Sequence, residues 1–180
     1  IERHYGEGNP DGKKEFTPVT RVFLKKGSTL IMEATQLGGV TNTDRLTTAT
    51  VGKNARLIIK EKIMTSGTER AVSRFKVRLT GENSTVDVVS RSVARDDSYQ
   101  AFVSDVIGKN RSFGHVECDG ILLDRARIVS TPKIDAISPE ASLVHEAAVG
   151  KIAGDQLIKL MTLGLTEKEA EYTIIKGFLY

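Results

Sequence analysis

The sequence predicts a mainly β fold, a stacked β-solenoid that gives way to a short helical segment at its C-terminal end. Three observations carry that expectation. From Phe16 onward apolar and polar residues alternate with a period of two, the pattern of strands with one buried face. Turn-type openings recur at Gly27, Gly52, Gly81, Gly108 and Pro139, at intervals of 25, 29, 27 and 31 residues. A second alternating run lies between successive markers, so each unit reads strand, turn, strand, turn. One such coil cannot bury its inward face alone, whereas stacked coils share a continuous aliphatic column. An antiparallel sandwich is the rival arrangement, since it too uses short strands with turns between them.

Residues 1–15 are polar and rich in turn formers, with Gly6, Gly8, Asn9-Pro10 and Asp11-Gly12, and read as a loop or linker remnant. The β core is expected over residues 16–152. Val22 and Leu24 share one strand face, Leu30 and Met32 another, Leu57 and Ile59 a third, with Arg56, Ile58 and Lys60 opposite. Phe75, Val77 and Leu79 alternate with Arg74, Lys76 and Arg78. STVDVVSRSVA, YQAFVSDVI and RARIVSTPKIDAI continue the series. Residues 153–180 change period. Asp155 is placed to cap a first helix bearing Leu157, Ile158, Leu160, Met161 and Leu163, and Gly164 stands where a C′ glycine belongs. Thr166 to Glu169 reads as a capping box opening a second helix with Ala170, Ile174, Ile175 and Phe178. Two short amphipathic helices cannot bury both apolar faces on each other, so they are expected to lean on the solenoid end, a further helix or another protein.

Composition narrows the function classes. The 180 residues are 39% hydrophobic and 27% charged, ordinary for a globular chain, and only 6% aromatic with no Trp, which suits a narrow aliphatic interior. The net charge of +3 is spread along the chain without interleaved aromatics, so no nucleic-acid partner is expected. One cysteine excludes an internal disulfide and suits a reducing, cytoplasmic compartment. No apolar run reaches the roughly 20 residues of a membrane span. The chain opens without Met and stops just after GFLY, as a segment of a longer protein would.

Candidate chemistry gathers in residues 108–154, which hold Cys118, His115, His145, Glu117, Asp119 and Glu146. Cys118 reads either as a buried thiol beside Val116 or as a reactive or metal-binding thiol reoriented by a turn at Asp119-Gly120. His145 and Glu146 point to opposite strand faces, so only one of them can join a given site. Cys118 and Glu146 are 28 residues apart, about one coil, which would stack them on adjacent strands. His115 and Glu117 share a face with each other but not with Cys118. HExxH, GxSxG, P-loop and dinucleotide fingerprints are missing, and the Gly-rich GEGNPDG lacks the strand and helix that phosphate binding needs.

The runs CDGILLD, STPKIDA, ASLVHEAAVGKI and DQLIKLMTLGLTEKEAEYTIIKGFL resemble the SufB/SufD family, densely over residues 113–179 and loosely over 16–112. The resemblance implies a right-handed parallel β-helix that belongs to the SUF machinery for iron–sulfur cluster assembly. It implies a non-catalytic scaffold that forms a homodimer or a SufB/SufD-type heterodimer and docks a SufC-type ABC ATPase through its C-terminal helices. It places Cys118 on a cysteine proposed to accept sulfur or ligate iron, Glu146 on the glutamate proposed beside it and His145 on the neighbouring histidine. A transient iron–sulfur cluster is the implied cofactor, with Cys118, Glu146 and His145 as its cofactor and metal ligands here. Leu163 replaces an arginine of the family pattern, and a single thiol cannot supply the four ligands a cluster takes, so a second subunit would complete the set. Two rivals stand beside this reading: a SufD-like structural partner that never touches the cluster, and a polysaccharide-processing β-helix enzyme using Asp96, Asp97 or Asp105.

Overall fold

The computed structural model describes residues 12–180. The loop expected over 1–15 lies mostly outside them, and its end is not loop: β1 (Glu15–Phe16) pairs with β4 (Asn42–Val51). The other strands are β2 (Val19–Leu24), β3 (Thr29–Leu37), β5 (Arg56–Thr65), β6 (Arg70–Leu79), β7 (Ser84–Ala94), β8 (Tyr99–Gly108), β9 (Ser112–Leu122), β10 (Arg127–Ala136) and β11 (Ala141–Lys151). Helices α1 (Gly154–Thr162) and α2 (Glu167–Leu179) follow.

Successive long strands alternate between two sheets. The first sheet runs β1–β4–β6–β8–β10 with β2 also on β4, and the second runs β11–β9–β7–β5–β3. Every pairing is parallel, which excludes the antiparallel sandwich and gives a solenoid of about five turns. The coil is more regular than the turn markers implied. Paired residues lie 27 apart at Val19↔Leu46, 28 apart at Ser90↔Cys118 and 29 apart at Cys118↔Ala147.

Period-two alternation decides which side chains enter the interior. Leu57, Ile59, Phe75, Val77, Leu79, Val86, Val88, Phe102, Val106, Val116 and Cys118 form the main buried cluster. Arg56, Lys60, Lys76 and Arg78, on the opposite faces, are exposed. The corners repeat as well. At one corner Gly27, Asn54 and Asn83 all take positive φ, between 54° and 73°. Each donates its backbone N–H to the next coil, Gly27 to Lys53 O at 2.9 Å, Asn54 to Glu82 O at 2.9 Å and Asn83 to Arg111 O at 2.7 Å. Glycine and asparagine recur here because they tolerate the left-handed conformation. At the same corner Gly81 lies against the backbone of Gly52 and Lys53, so closely that a Cβ would collide with Lys53 N.

The helices depart from expectation in one detail. The N-cap of α1 is Ala153 with no side-chain cap, and Asp155 sits inside the first turn, its carboxylate accepting from Gln156 N–H at 3.0 Å. Helix α1 ends as expected: Gly164 has φ 98°, and Gly164 N–H and Leu165 N–H donate to Met161 O and Leu160 O, a Schellman arrangement. The Thr166–Glu169 capping box is formed. Helix α2 leans on the outer face of the second sheet, where Ile175 and Leu179 pack with Val93, Met64 and Ile121. Helix α1 buries none of its residues. Among the described residues no helix is long and apolar enough to cross a membrane.

Candidate functional site

Strand β9 carries Cys118 through a continuous ladder from Ser112 to Leu122, so no turn or bulge at Asp119-Gly120 redirects the thiol. Cys118 points into the solenoid and is 1% exposed. Its row crosses the coils as Ala34, Glu61, Ser90, Cys118 and Ala147. Burial is the main influence on the thiol and, with the charges of Glu61 and Asp119, pushes its pKa up to about 11 against a smaller opposing pull from Ser130. Ser130 Oγ lies beside the thiol and exerts that pull, although the two do not meet in ordinary hydrogen-bond geometry. At neutral pH Cys118 is therefore a protonated, shielded thiol, not a thiolate nucleophile.

The three residues singled out in the sequence do not converge. Glu146 does not stack on Cys118: it lies opposite Glu117, and Ala147 takes the place above the thiol. The connection from β10 to β11 is one residue longer than the connection from β8 to β9 beneath it, so the coil there is 29 residues and not 28. Glu146 consequently faces outward and is exposed. His145 faces inward above Val116, on the same interior face as Cys118 and one diagonal away on the neighbouring coil. Its Nε2 is buried with no hydrogen-bond partner among the described residues. Burial, with a smaller contribution from His115, lowers the pKa of His145, which favours the neutral imidazole that metals bind.

Outside the solenoid, β9 presents His115, Glu117 and Asp119 beside Glu146, as the shared face of His115 and Glu117 implied. His115 Nδ1 lies 2.9 Å from Asp87 Oδ1. The protonated Glu117 carboxyl can donate a hydrogen bond to the Asp119 carboxylate, and this, then burial, raises Glu117 above the ordinary carboxylate range. No group of three or more His, Cys, Asp and Glu among the described residues is arranged to hold a metal.

Glu61 went unremarked in the sequence although its alternation gives it away: Leu57, Ile59, Glu61 and Ile63 all face inward. It is 2% exposed and accepts hydrogen bonds from Ser73 Oγ at 2.6 Å and Ser90 Oγ at 3.0 Å. Burial dominates and raises its pKa, against the pull of Ser73, Arg45 and Ser90.

The last coil is where the interior meets solvent. Among the described residues no coil lies above β10 and β11, so inward residues such as Ile134, Ala147 and Val149 are exposed, while Ile128, Leu143 and His145 stay half-buried. Fold and site together define a parallel β-solenoid that shuts its single thiol one coil beneath an uncovered end. The chain belongs to the family described as SUF system FeS cluster assembly, SufBD core domain, which matches residues 12–178. Among curated relatives it is similar to an iron–sulfur cluster assembly SufBD family protein of Archaeoglobus fulgidus, 31% identical over 92% of this chain and 45% of the relative. It is similar to SufBD family proteins of Methanothermobacter thermautotrophicus, 34% identical over 71% of this chain and 32% of the relative, and of Pyrococcus horikoshii, 30% identical over 90% and 37%. The chain thus spans less than half the length of these relatives. Membership of the family links the chain to iron–sulfur cluster assembly.

Proposed function

We propose that the chain is the core of a non-catalytic SufB-like scaffold on which a transient iron–sulfur cluster is built at the uncovered end of the solenoid. The observation that carries this reading is an inward imidazole on the last coil, His145, whose buried Nε2 has no partner among the described residues, on the same interior face as the thiol of Cys118 one coil below. Those two side chains supply at most two of the four ligands a cluster takes. A second subunit placed end to end against β10 and β11 supplies the rest, as a homodimer or a SufB/SufD-type heterodimer. Both edge strands offer unpaired backbone groups to such a partner. Glu146 faces outward and serves at the rim, as an entry ligand for iron and not as a stacked neighbour of the thiol. Helix α1 and its C-cap, with Ile158, Met161 and Leu163 exposed, form the docking element for a SufC-type ABC ATPase. Because Cys118 lies beneath Ala147, loading requires the last coil to move, and ATPase docking next to that coil supplies a means.

The test is anaerobic reconstitution with iron and sulfide in the presence of the cognate ATPase. Cys118→Ala and His145→Ala are expected to abolish or sharply reduce the visible charge-transfer absorption, while Glu146→Ala slows its appearance. Unchanged absorption in Cys118→Ala would reject the scaffold site. It would favour the SufD-like structural role.

A further inference from the structure

The outer face of the first sheet is independent of everything assigned above. Helix α2 leans on the second sheet, whereas the first presents strand after strand to solvent. Strand β6 puts Arg70, Arg74, Lys76 and Arg78 on that face with no carboxylate among them. Two are occupied. Arg74 pairs with Asp44 at 2.8 Å, and the Arg70 guanidinium lies 4.4 Å from the centre of the Tyr99 ring. Lys76 and Arg78 have no ion-pair partner among the described residues, nor does Arg21 on β2.

Register brings these free cations together. Arg21, Thr48 and Lys76 form one row across β2, β4 and β6, which β8 continues with Asp105, itself paired with Lys133 at 3.8 Å, and Phe23, Thr50 and Arg78 form the next. Neighbouring strands are about 4.8 Å apart, so the cations flank a strip about 10 Å wide floored by two threonines. Thr48 and Thr50 are short and uncharged, which leaves the strip level. Phe23 is 75% exposed and Val19 is 56% exposed at its edge, side chains that solvation alone does not favour in that position. An exposed aromatic beside unpaired arginines is the composition of a protein-binding surface, to which Lys76 adds only charge. A polynucleotide would use the cations but gain little from Phe23 and Val19 at the margin, and no row of stacking aromatics accompanies them.

We propose that the strip bounded by Arg21, Phe23, Lys76 and Arg78 is a docking surface for an acidic, partly apolar segment of another protein, separate from the solenoid end. Carboxylates of the partner pair with the free cations, and an apolar side chain covers Phe23.

The probe is a fluorescein-labelled peptide of about 20 residues built on Glu-Glu-Leu repeats, with a single-stranded oligodeoxynucleotide of equal charge as its rival, both read by anisotropy against the 180-residue chain. The double variant Lys76→Glu/Arg78→Glu is expected to weaken peptide binding by about tenfold or more and Phe23→Ala by about threefold. The control Lys25→Glu/Lys26→Glu, exposed at a corner, is expected to stay within about twofold. Circular dichroism and thermal midpoints confirm folding; if the reversal variant does not fold, Lys76→Ala/Arg78→Ala replaces it with the same expected direction. Equal loss in the control, absence of peptide binding, or an oligonucleotide that binds as tightly and responds to the same variants would each overturn the assignment.

Discussion

At the residue scale the thiol decides what the molecule can do unaided. Cys118 combines near-complete burial with a pKa pushed up to about 11, so the closed solenoid holds it inert. Native protein at pH 8 is expected to react with a thiol-specific chromogenic disulfide at a small fraction of the rate seen in denaturant, with one thiol released per chain on unfolding. Fast reaction in the native state would show that the last coil opens without help. His145 complements the thiol in kind: its imidazole is held neutral by burial and its Nε2 is unsatisfied, a costly arrangement that a ligand would relieve. Glu117 and Asp119 flank the thiol in sequence yet lie on the other side of the sheet, which separates the interior chemistry of β9 from its surface charge.

At the element scale the corners matter as much as the strands. Gly81 is needed for lack of a side chain, since any Cβ there meets Lys53 N. Gly81→Ala is expected to lower stability by about 2–4 kcal/mol, seen as a shift of the denaturant midpoint with an unchanged slope. A shift below about 0.5 kcal/mol would mean that the stacked corners relax freely. Much of this architecture was legible in the sequence. Alternation assigns the inward faces of β5 and β6 correctly, and Thr166 to Glu169 and Gly164 mark the capping box and the end of α1. The misreadings share a cause. Asp155 has the residue type of a cap, but the chain enters α1 two residues earlier, at Ala153. A 28-residue coil would stack Glu146 on Cys118, but no average coil length fixes the length of one corner. Charge alone would assign Glu61 outward, whereas its spacing from Ile59 and Ile63 places it inside.

At the scale of the whole molecule, two sets of carboxylates tilt stability in opposite directions with pH. Hydrogen bonds from Lys53 to Glu82, from Arg125 to Asp97 and from Thr166 to Glu169 lower those surface carboxyls, so their contribution is present at neutral pH and lost as pH falls through their folded-state values. Glu61 acts in reverse. Its folded pKa lies above the ordinary value of 4.5, so the native state binds its proton more tightly and stability declines as pH rises from 4.5 through the raised value. Glu61→Gln is expected to flatten that decline and raise the thermal midpoint at pH 7 relative to pH 5, measured by calorimetry across the range. An unchanged profile would show that Arg45 and the serines fully compensate the buried charge. The corner between β10 and β11 has a consequence of another kind. It has four residues, 137–140, where the corner between β8 and β9 below it has three, 109–111. That surplus residue works as a parity bit: in a strand each single-step displacement exchanges inside for outside. Deleting one residue from 137–140 would seat Glu146 over Cys118 in the interior and turn His145 to the surface. The donor set offered by the end of the solenoid is thus written in the length of a loop as much as in the identity of its side chains.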